Sequence, residues 1–257
     1  MISVCIAGAT GWTGSALVEG VLAADDLELR SGVARSAAGQ EVGGAPVFAN
    51  AAEALDGVDV MIDFTSHHVV QANALAAIER GVHVVIGTSG LTAAEFDEID
   101  AAARARGVGV VSAGNFSLTA AMAQAAALLV APHLPQWEVI DYASATKADV
   151  PSGTAREMAE RLSQIAAPPL GRPLDAIAGP VEARGANVAG VQVHSVRLPS
   201  FVVSTEVLFG LPDERLSIRH DAGGTPAPYV AGTLLAARAV RTRVGLTRGL
   251  DRLLLDG

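Results

Sequence analysis

The sequence predicts an α/β protein whose first half is an open parallel sheet with helices on both faces. Two observations carry this expectation. Short apolar runs at residues 2–7, 27–34, 58–63, 82–86 and 108–112 alternate with helix-patterned segments. Most of these runs end in a polar, often glycine-bearing tip, and in such a sheet ligands bind beyond the carboxyl ends of the strands.

The first run, residues 2–7, leads without a break into Gly8-Ala9-Thr10-Gly11-Trp12-Thr13-Gly14, and a helix continues over residues 15–22. Strand, glycine-rich turn and helix in that order form the first unit of a dinucleotide-binding, Rossmann-like fold. A side chain in the turn would keep the backbone from a pyrophosphate, and Gly14 lets the helix pack closely on the strand. The spacing is GxxGxxG rather than GxGxxG. Gly8, Thr10, Gly11, Trp12, Thr13 and Gly14 are candidate cofactor residues. The second run ends Gly32-Val33-Ala34-Arg35-Ser36, with no carboxylate to accept the ribose hydroxyls of NAD. Arg35 and Ser36 suit a 2′-phosphate, so NADPH is expected, with NADH possible.

The run at 58–63 ends at Phe64-Thr65 and precedes a helix over 69–80. The run at 82–86 ends in Gly87-Thr88-Ser89-Gly90, and a helix over 92–106 leads to the run at 108–112, which ends at Gly114-Asn115-Phe116. Phe64, Thr65, Gly87, Thr88, Ser89, Gly114, Asn115 and Phe116 collect on the same edge as the glycine turn and join the candidate cofactor set. Residues 118–131 are Ala-rich and interrupted by Gln124. They read as a buried helix, too short to span a bilayer.

Further on, Lys147-Ala148-Asp149-Val150-Pro151-Ser152-Gly153-Thr154-Ala155 reads as an anion site. Pro151 and Ser152 stop the preceding extended run, and Gly153 and Thr154 open a helix with apolar residues at 155, 158, 159, 162 and 165. The first amides of a helix lack internal partners and carry the positive end of its dipole. Lys147 adds a full charge. An ordinary N-cap beside a solvated lysine has the same local pattern.

Composition narrows the class. Of 257 residues 50% are hydrophobic and 18% charged, enough apolar material for a large core. Eighteen Lys and Arg against 27 Asp and Glu give a net charge of −9, with no basic stripe. Nucleic acid and membrane are therefore not expected partners. No apolar run is long enough to span a bilayer, and Met1 leads directly into a strand, leaving no room for a signal peptide. The single cysteine, Cys5, cannot form an internal disulfide, which suits a reducing cytoplasm. No pair among the six histidines has metal-ligand spacing, so no metal is expected.

The chain resembles the bacterial dihydrodipicolinate reductases over nearly its whole length. The resemblance lies in the glycine turn, Asp63-Phe64-Thr65, Gly87 to Gly90, Gly114-Asn115-Phe116-Ser117, residues 138–141, Lys147 to Ala155, and residues 230–237. It implies a Rossmann-like doubly wound parallel sheet plus a second α+β domain with a mixed open sheet. The dinucleotide-binding domain would take residues 1–116 with 226–257, and the substrate-binding and oligomerisation domain residues 117–225. Local patterning agrees, with strands expected at 138–145, 188–196, 201–209 and 216–220 and a helix at 229–240. The resemblance also implies a homotetramer. Lys147, Ser152, Gly153 and Thr154 would hold a small carboxylated, cyclic substrate, with Gly87, Thr88 and Asn115 beside the nicotinamide.

The sequence departs from the family where a His-His pair is expected. The matching run is Tyr142-Ala143-Ser144-Ala145-Thr146, so the pair falls on Ala143 and Ser144. Loss of a general acid typically removes about a hundredfold to ten-thousandfold in rate. Lys147 is the first substitute donor, with Tyr142 or Ser144 the second. Arg197-Leu198-Pro199 replaces a family Arg-Gly pattern, and Gly223-Gly224-Thr225-Pro226 replaces a Ser-Ser-Arg run. His67-His68 reads as a helix-start or exposed pair rather than the missing pair relocated. The expected function is an NAD(P)H-dependent reductase acting on a C=N or C=C bond, as a paralogue with an altered substrate or as the lysine-pathway enzyme itself. A redox-neutral lyase or hydrolase and an NADP(H)-binding sensor are the other classes; the retained anion site argues against the sensor.

Overall fold

The computed structural model describes residues 1–255. The chain runs β1 (Ile2–Ala7), α1 (Trp12–Leu22), β2 (Leu27–Val33), β3 (Glu41–Val42), β4 (Ala45–Phe48), α2 (Ala51–Ala54), β5 (Val60–Asp63), α3 (Val70–Glu79), β6 (His83–Ile86), α4 (Ala93–Arg106) and β7 (Gly109–Ser112). It continues through α5 (Leu118–Val130), β8 (Gln136–Ala143), α6 (Gly153–Ser163), β9 (Ala186–Val188), β10 (Val191–Arg197), β11 (Val203–Leu211) and β12 (Glu214–Asp221). It closes with α7 (Ala227–Ala239), β13 (Gly245–Arg248) and α8 (Leu250–Leu255). Two compact units result: Met1–Leu118 together with the chain from Thr225 onward, and Thr119–Gly224.

The first unit holds an eight-stranded sheet in the order β13-β7-β6-β5-β1-β2-β4-β3, parallel except where β3 meets β4. Strands covered on both faces need apolar residues at every position rather than at alternate ones. β5 and β7 have four buried residues each, apolar along Val60 to Ile62 and Val110 to Val111, with the polar Asp63 and Ser112 at their carboxyl ends. Cys5, Ala7, Met61, Val84, Ile86 and Val110 pack with α3 and α4 on one face. The pleat turns their neighbours, such as Val4, Ile6 and Val85, to the other face, where α1 lies against β1 and α7 against β5 and β6. A capping box between Thr92 and Glu95 starts α4, and Gly107 stops it in the left-handed region at φ +75°.

Several expectations are corrected here. The sequence reading had no strand at residues 41–48 and none after the last long helix. β3 and β4 form a short hairpin on one edge, and β13 returns to pair with β7 on the other. α1 begins at Trp12 rather than Ser15, because Gly11 takes the N-cap. α5 is amphipathic rather than buried. Ala120, Ala121, Gln124 and Ala127 face inward, while Leu129 is 74% exposed.

The second unit is a mixed five-stranded sheet in the order β12-β11-β8-β10-β9, with β8 parallel to β10 and antiparallel to β11. Along β8 burial alternates: Trp137, Val139, Asp141 and Ala143 point inward, and Glu138, Ile140 and Tyr142 lie on the opposite, half-buried face. The inward face packs against α5 and α6 through Ala127, Met158, Leu162, Val193 and Phe209. Helical spacing puts Ala155, Met158, Ala159 and Leu162 on one buried stripe of α6, as expected; Ile165 falls beyond the helix end and is partly exposed.

Candidate active site

In the first unit β1 lies between β2 and β5, so the chain leaves β1 to one side and later returns on the other. A crevice at the carboxyl ends of the strands results at such a switch point. The glycine turn fills that position. Gly8 has φ +87°, and a Cβ on it would stand 2.3 Å from the Phe64 carbonyl oxygen. A Cβ on Gly14 would stand 1.9 Å from the Gly8 carbonyl oxygen. Gly11 caps α1 without a side chain, and there is no acid in the first turn to compete for its amides. Those amides suit a pyrophosphate. Thr10 and Trp12 are exposed and Thr13 half-buried, with the Trp12 ring edge-on to Tyr229 at 6.0 Å. Arg35 and Ser36, both exposed, follow the end of β2 directly in a short 3₁₀ turn.

The loops beside the turn are drawn together by Asp63, which is fully buried at the end of β5. Its Oδ1 accepts from the Thr65 amide at 3.0 Å and from the Thr65 and Thr88 hydroxyls at 2.7 Å each, and its Oδ2 accepts from Asn73 Nδ2 at 2.8 Å. Both threonine hydroxyls therefore donate inward. The Phe64 ring lies against Gly87, where a Cβ would stand 2.1 Å from it, and meets Phe116 edge-on at 5.8 Å. Phe116 is buried, so its side chain belongs to the core. Asn115 Oδ1 accepts from the Ser117 amide at 2.8 Å, near Gly114. Ser89 is exposed. The His67 and His68 rings meet at 3.7 Å, tilted by 43°, both exposed, on the loop after β5.

In the second unit the start of α6 is built around Asp141, also fully buried. Asp141 Oδ1 accepts from the Ser152 hydroxyl at 2.6 Å and Oδ2 from the Ser152 amide at 2.9 Å. Ser195 Oγ and Arg197 Nη2 complete its shell at 3.1 and 2.8 Å. The Ser152 hydroxyl in turn accepts from the Ala155 amide at 3.3 Å, capping the helix. It is buried and fully committed within the protein, so Gly153 and Thr154 open α6 with their backbone amides. Lys147 lies on the loop just before, its amide donating to Ser144 O at 3.0 Å and its Nζ 2.8 Å from Asp149 Oδ1. Ser144 is half-buried, and its hydroxyl meets that of Thr146 at 3.1 Å.

Tyr142 is placed elsewhere. The pleat of β8 turns it to the face opposite Asp141, where its hydroxyl donates to Glu206 Oε2 at 2.9 Å and Arg219 lies 4.7 Å above its ring. Burial, and then the Glu206 carboxylate, push its pKa up. That setting corrects the expectation that Tyr142 stands with Lys147 as a second donor. A cavity of about 300 Å³ lies at the other end of β8, lined by Gln136, Trp137, Pro169, Phe209 and Arg215 among others. Lys147 and the start of α6 do not border it.

The family model for dihydrodipicolinate reductase, N-terminus, matches residues 2–116, and the model for dihydrodipicolinate reductase, C-terminus, matches residues 114–254. The chain belongs to the dihydrodipicolinate reductase family. A 4-hydroxy-tetrahydrodipicolinate reductase of Moorella thermoacetica is 38% identical over 263 residues, covering 98% of each chain. One of Nocardia farcinica is 39% identical over 253 residues, covering 97% of each. A dipicolinate-bound dihydrodipicolinate reductase of Paenisporosarcina sp. TG-14 superposes with a TM-score of 0.78 at 28% identity, covering 98% of this chain and 99% of that one. This family member is an NAD(P)H-dependent oxidoreductase. Its glycine turn fits the dinucleotide, since side chains at Gly8 or Gly14 would collide with backbone and the first turn of α1 offers amides without an acid.

Asp63, Asp141, Asp149 and Arg197 were not singled out from the sequence as site residues. A signal existed for Asp141, which interrupts the inward apolar series Trp137, Val139 and Ala143 of an alternating strand. Its partner Arg197 is 56 residues away, beyond any local pattern.

Proposed function

We propose that this protein transfers a hydride from NADPH to the C=N or C=C bond of a small cyclic carboxylate, and that it is a paralogue with an altered substrate. The observation that carries this reading is Lys147 beside the opening amides of α6. A carboxylate there would meet one full positive charge and the positive end of the α6 dipole. Gly153 and Thr154 would contact it through their backbone, and Ser152 would act by capping. Bound NADPH supplies the hydride, and Arg35 with Ser36 supports the choice of the phosphorylated cofactor. Backbone edges at Gly87, Ser89, Gly114 and Asn115 would border the nicotinamide, with Thr65 and Thr88 holding those edges in place.

The altered substrate is supported at the missing pair. Ala143 is fully buried and has no proton to give, and Ser144 is a weak acid. Reduction of C=N forms one C–H bond from the hydride and one N–H bond from a protein proton, which Lys147 Nζ would supply. The second reading is the reductase of 4-hydroxy-tetrahydrodipicolinate itself, favoured by the full-length identity of 38–39% to such enzymes. Mixing the protein with NADPH and enzymatically generated 4-hydroxy-tetrahydrodipicolinate separates the two. Rapid loss of nicotinamide absorbance establishes the second reading. Dipicolinate binding without turnover supports the paralogue, and neither binding nor turnover of any cyclic imino acid refutes both. The single buried cysteine suits a cytoplasmic setting, and the half-buried outer face of β8 suits the homotetramer.

A further inference from the structure

Lys147 has three N–H donors, and Asp149 Oδ1 takes one of them at 2.8 Å. Both side chains are about one-third exposed or less, 28% and 33%. Asp149 is itself anchored. Its carbonyl accepts from Arg197 Nη2 at 2.8 Å, and the same nitrogen donates to the buried Asp141 Oδ2 at 2.8 Å. Asp141 also holds the amide and hydroxyl of Ser152, the residue that starts α6. One fully buried carboxylate thus ties down, by separate hydrogen bonds, both contributors to the anion site: the helix amides through Ser152, and the lysine through Arg197 and Asp149.

Resting on the reading above, we propose that Asp149 is a positioning residue for Lys147, with the Asp141–Arg197 pair fixing Asp149 in register with the α6 amides. A free lysine chain has four rotatable bonds and would deliver its ammonium to a ligand only after losing that freedom. An ion pair in place before binding removes part of that cost. The charge of Asp149 is also a specificity element. It opposes a second carboxylate placed against Lys147, so the site accepts one carboxylate there and directs any other on the ligand away from the lysine.

Three variants test this: Asp149→Ala, Asp149→Asn, which keeps an acceptor oxygen at the same place, and Arg197→Lys, which keeps the charge but not the rigid guanidinium whose Nη2 reaches both Asp141 and Asp149. Dipicolinate affinity is expected to fall roughly tenfold in Asp149→Ala and Arg197→Lys and by no more than about threefold in Asp149→Asn, with NADPH affinity unchanged. A partly exposed pair contributes little to folding, so the melting temperature of Asp149→Ala stays near that of the parent. A second readout does not depend on any substrate: labelling of Lys147 by acetic anhydride, followed by peptide mass, rises several-fold in Asp149→Ala over the parent. Unchanged labelling overturns the proposal, as does equal loss of dipicolinate affinity in Asp149→Ala and Asp149→Asn. If the parent binds no dipicolinate while labelling still rises, the positioning role stands and the substrate reading fails.

Discussion

Replacing Ser152 with alanine separates a structural role for its hydroxyl from direct contact with a ligand. The hydroxyl is buried, caps α6 by accepting from the Ala155 amide, and donates to Asp141 at 2.6 Å. Loss of a Ser cap costs about 1 kcal/mol. Loss of a hydrogen bond to a buried carboxylate adds roughly 1.5–3 kcal/mol. The sum is about 2.5–4 kcal/mol, because the Ser152 amide still donates to Asp141 Oδ2. For a protein of this size each kcal/mol moves the melting point by about 2–4 °C, so a drop of roughly 5–15 °C is expected. The second unit can be followed by itself through Trp137, which is buried, in a Trp12→Phe background that removes the only other tryptophan. Dipicolinate affinity, extrapolated to full folding, is expected to change by less than about threefold. A melting point within about 2 °C of the parent, combined with a tenfold loss of affinity, would refute the reasoning and place the hydroxyl on the ligand.

Gly14→Ala puts a Cβ 1.9 Å from the Gly8 carbonyl oxygen, so the turn must open; NADPH binding by fluorescence titration is expected to weaken by more than about tenfold while dipicolinate binding in the absence of cofactor is retained. Arg35→Ala is expected to raise KM for NADPH about tenfold and leave KM for NADH within about twofold, and equal effects on both would remove Arg35 from the 2′-phosphate. Cys5 is fully buried and its thiol is pushed from 9.0 to about 12, first by desolvation. Native protein should therefore resist iodoacetamide at pH 8 and react on unfolding. Because the folded pKa lies above the unfolded one, the protonated thiol favours the fold fully below the unfolded value of 9.0, and that contribution fades as pH climbs towards 12. In a Cys5→Ala variant that part of the alkaline destabilisation is absent, which urea titrations at pH 8 and pH 10 measure.

What the sequence could and could not reveal follows from the range of each interaction. The parallel sheet was readable because Val4 to Ala7 and Val60 to Ile62 must be apolar throughout to lie between two helix layers. The glycine turn was readable because its close approach to Phe64 tolerates no side chain at Gly8. The hairpin of β3 and β4 was missed, since strands of two and four residues carry too few positions for a period to emerge. β13 was missed for the same reason, its pairing with β7 lying more than 130 residues back in the chain. At the proposed anion site the lysine and the helix start are neighbours in sequence, so one local pattern shows both. The Asp141–Arg197 pair joins two strands through a crossover and leaves no local mark. Tyr142 was misassigned even though strand alternation alone sets it back to back with Asp141.

The return of the chain to the first sheet also governs how that sheet is made. β7 is left with one open edge of amides and carbonyls until Gly245 to Arg248 arrive, and α1 lacks α7 beside it for as long. During synthesis the ribosome therefore delivers the whole of the second unit before the cofactor sheet can close. A chain released early, at about residue 224, would carry a bare apolar rim suited to joining other such chains. Aggregation of nascent protein, rather than loss of activity, is the first expected symptom of a stop codon near residue 225.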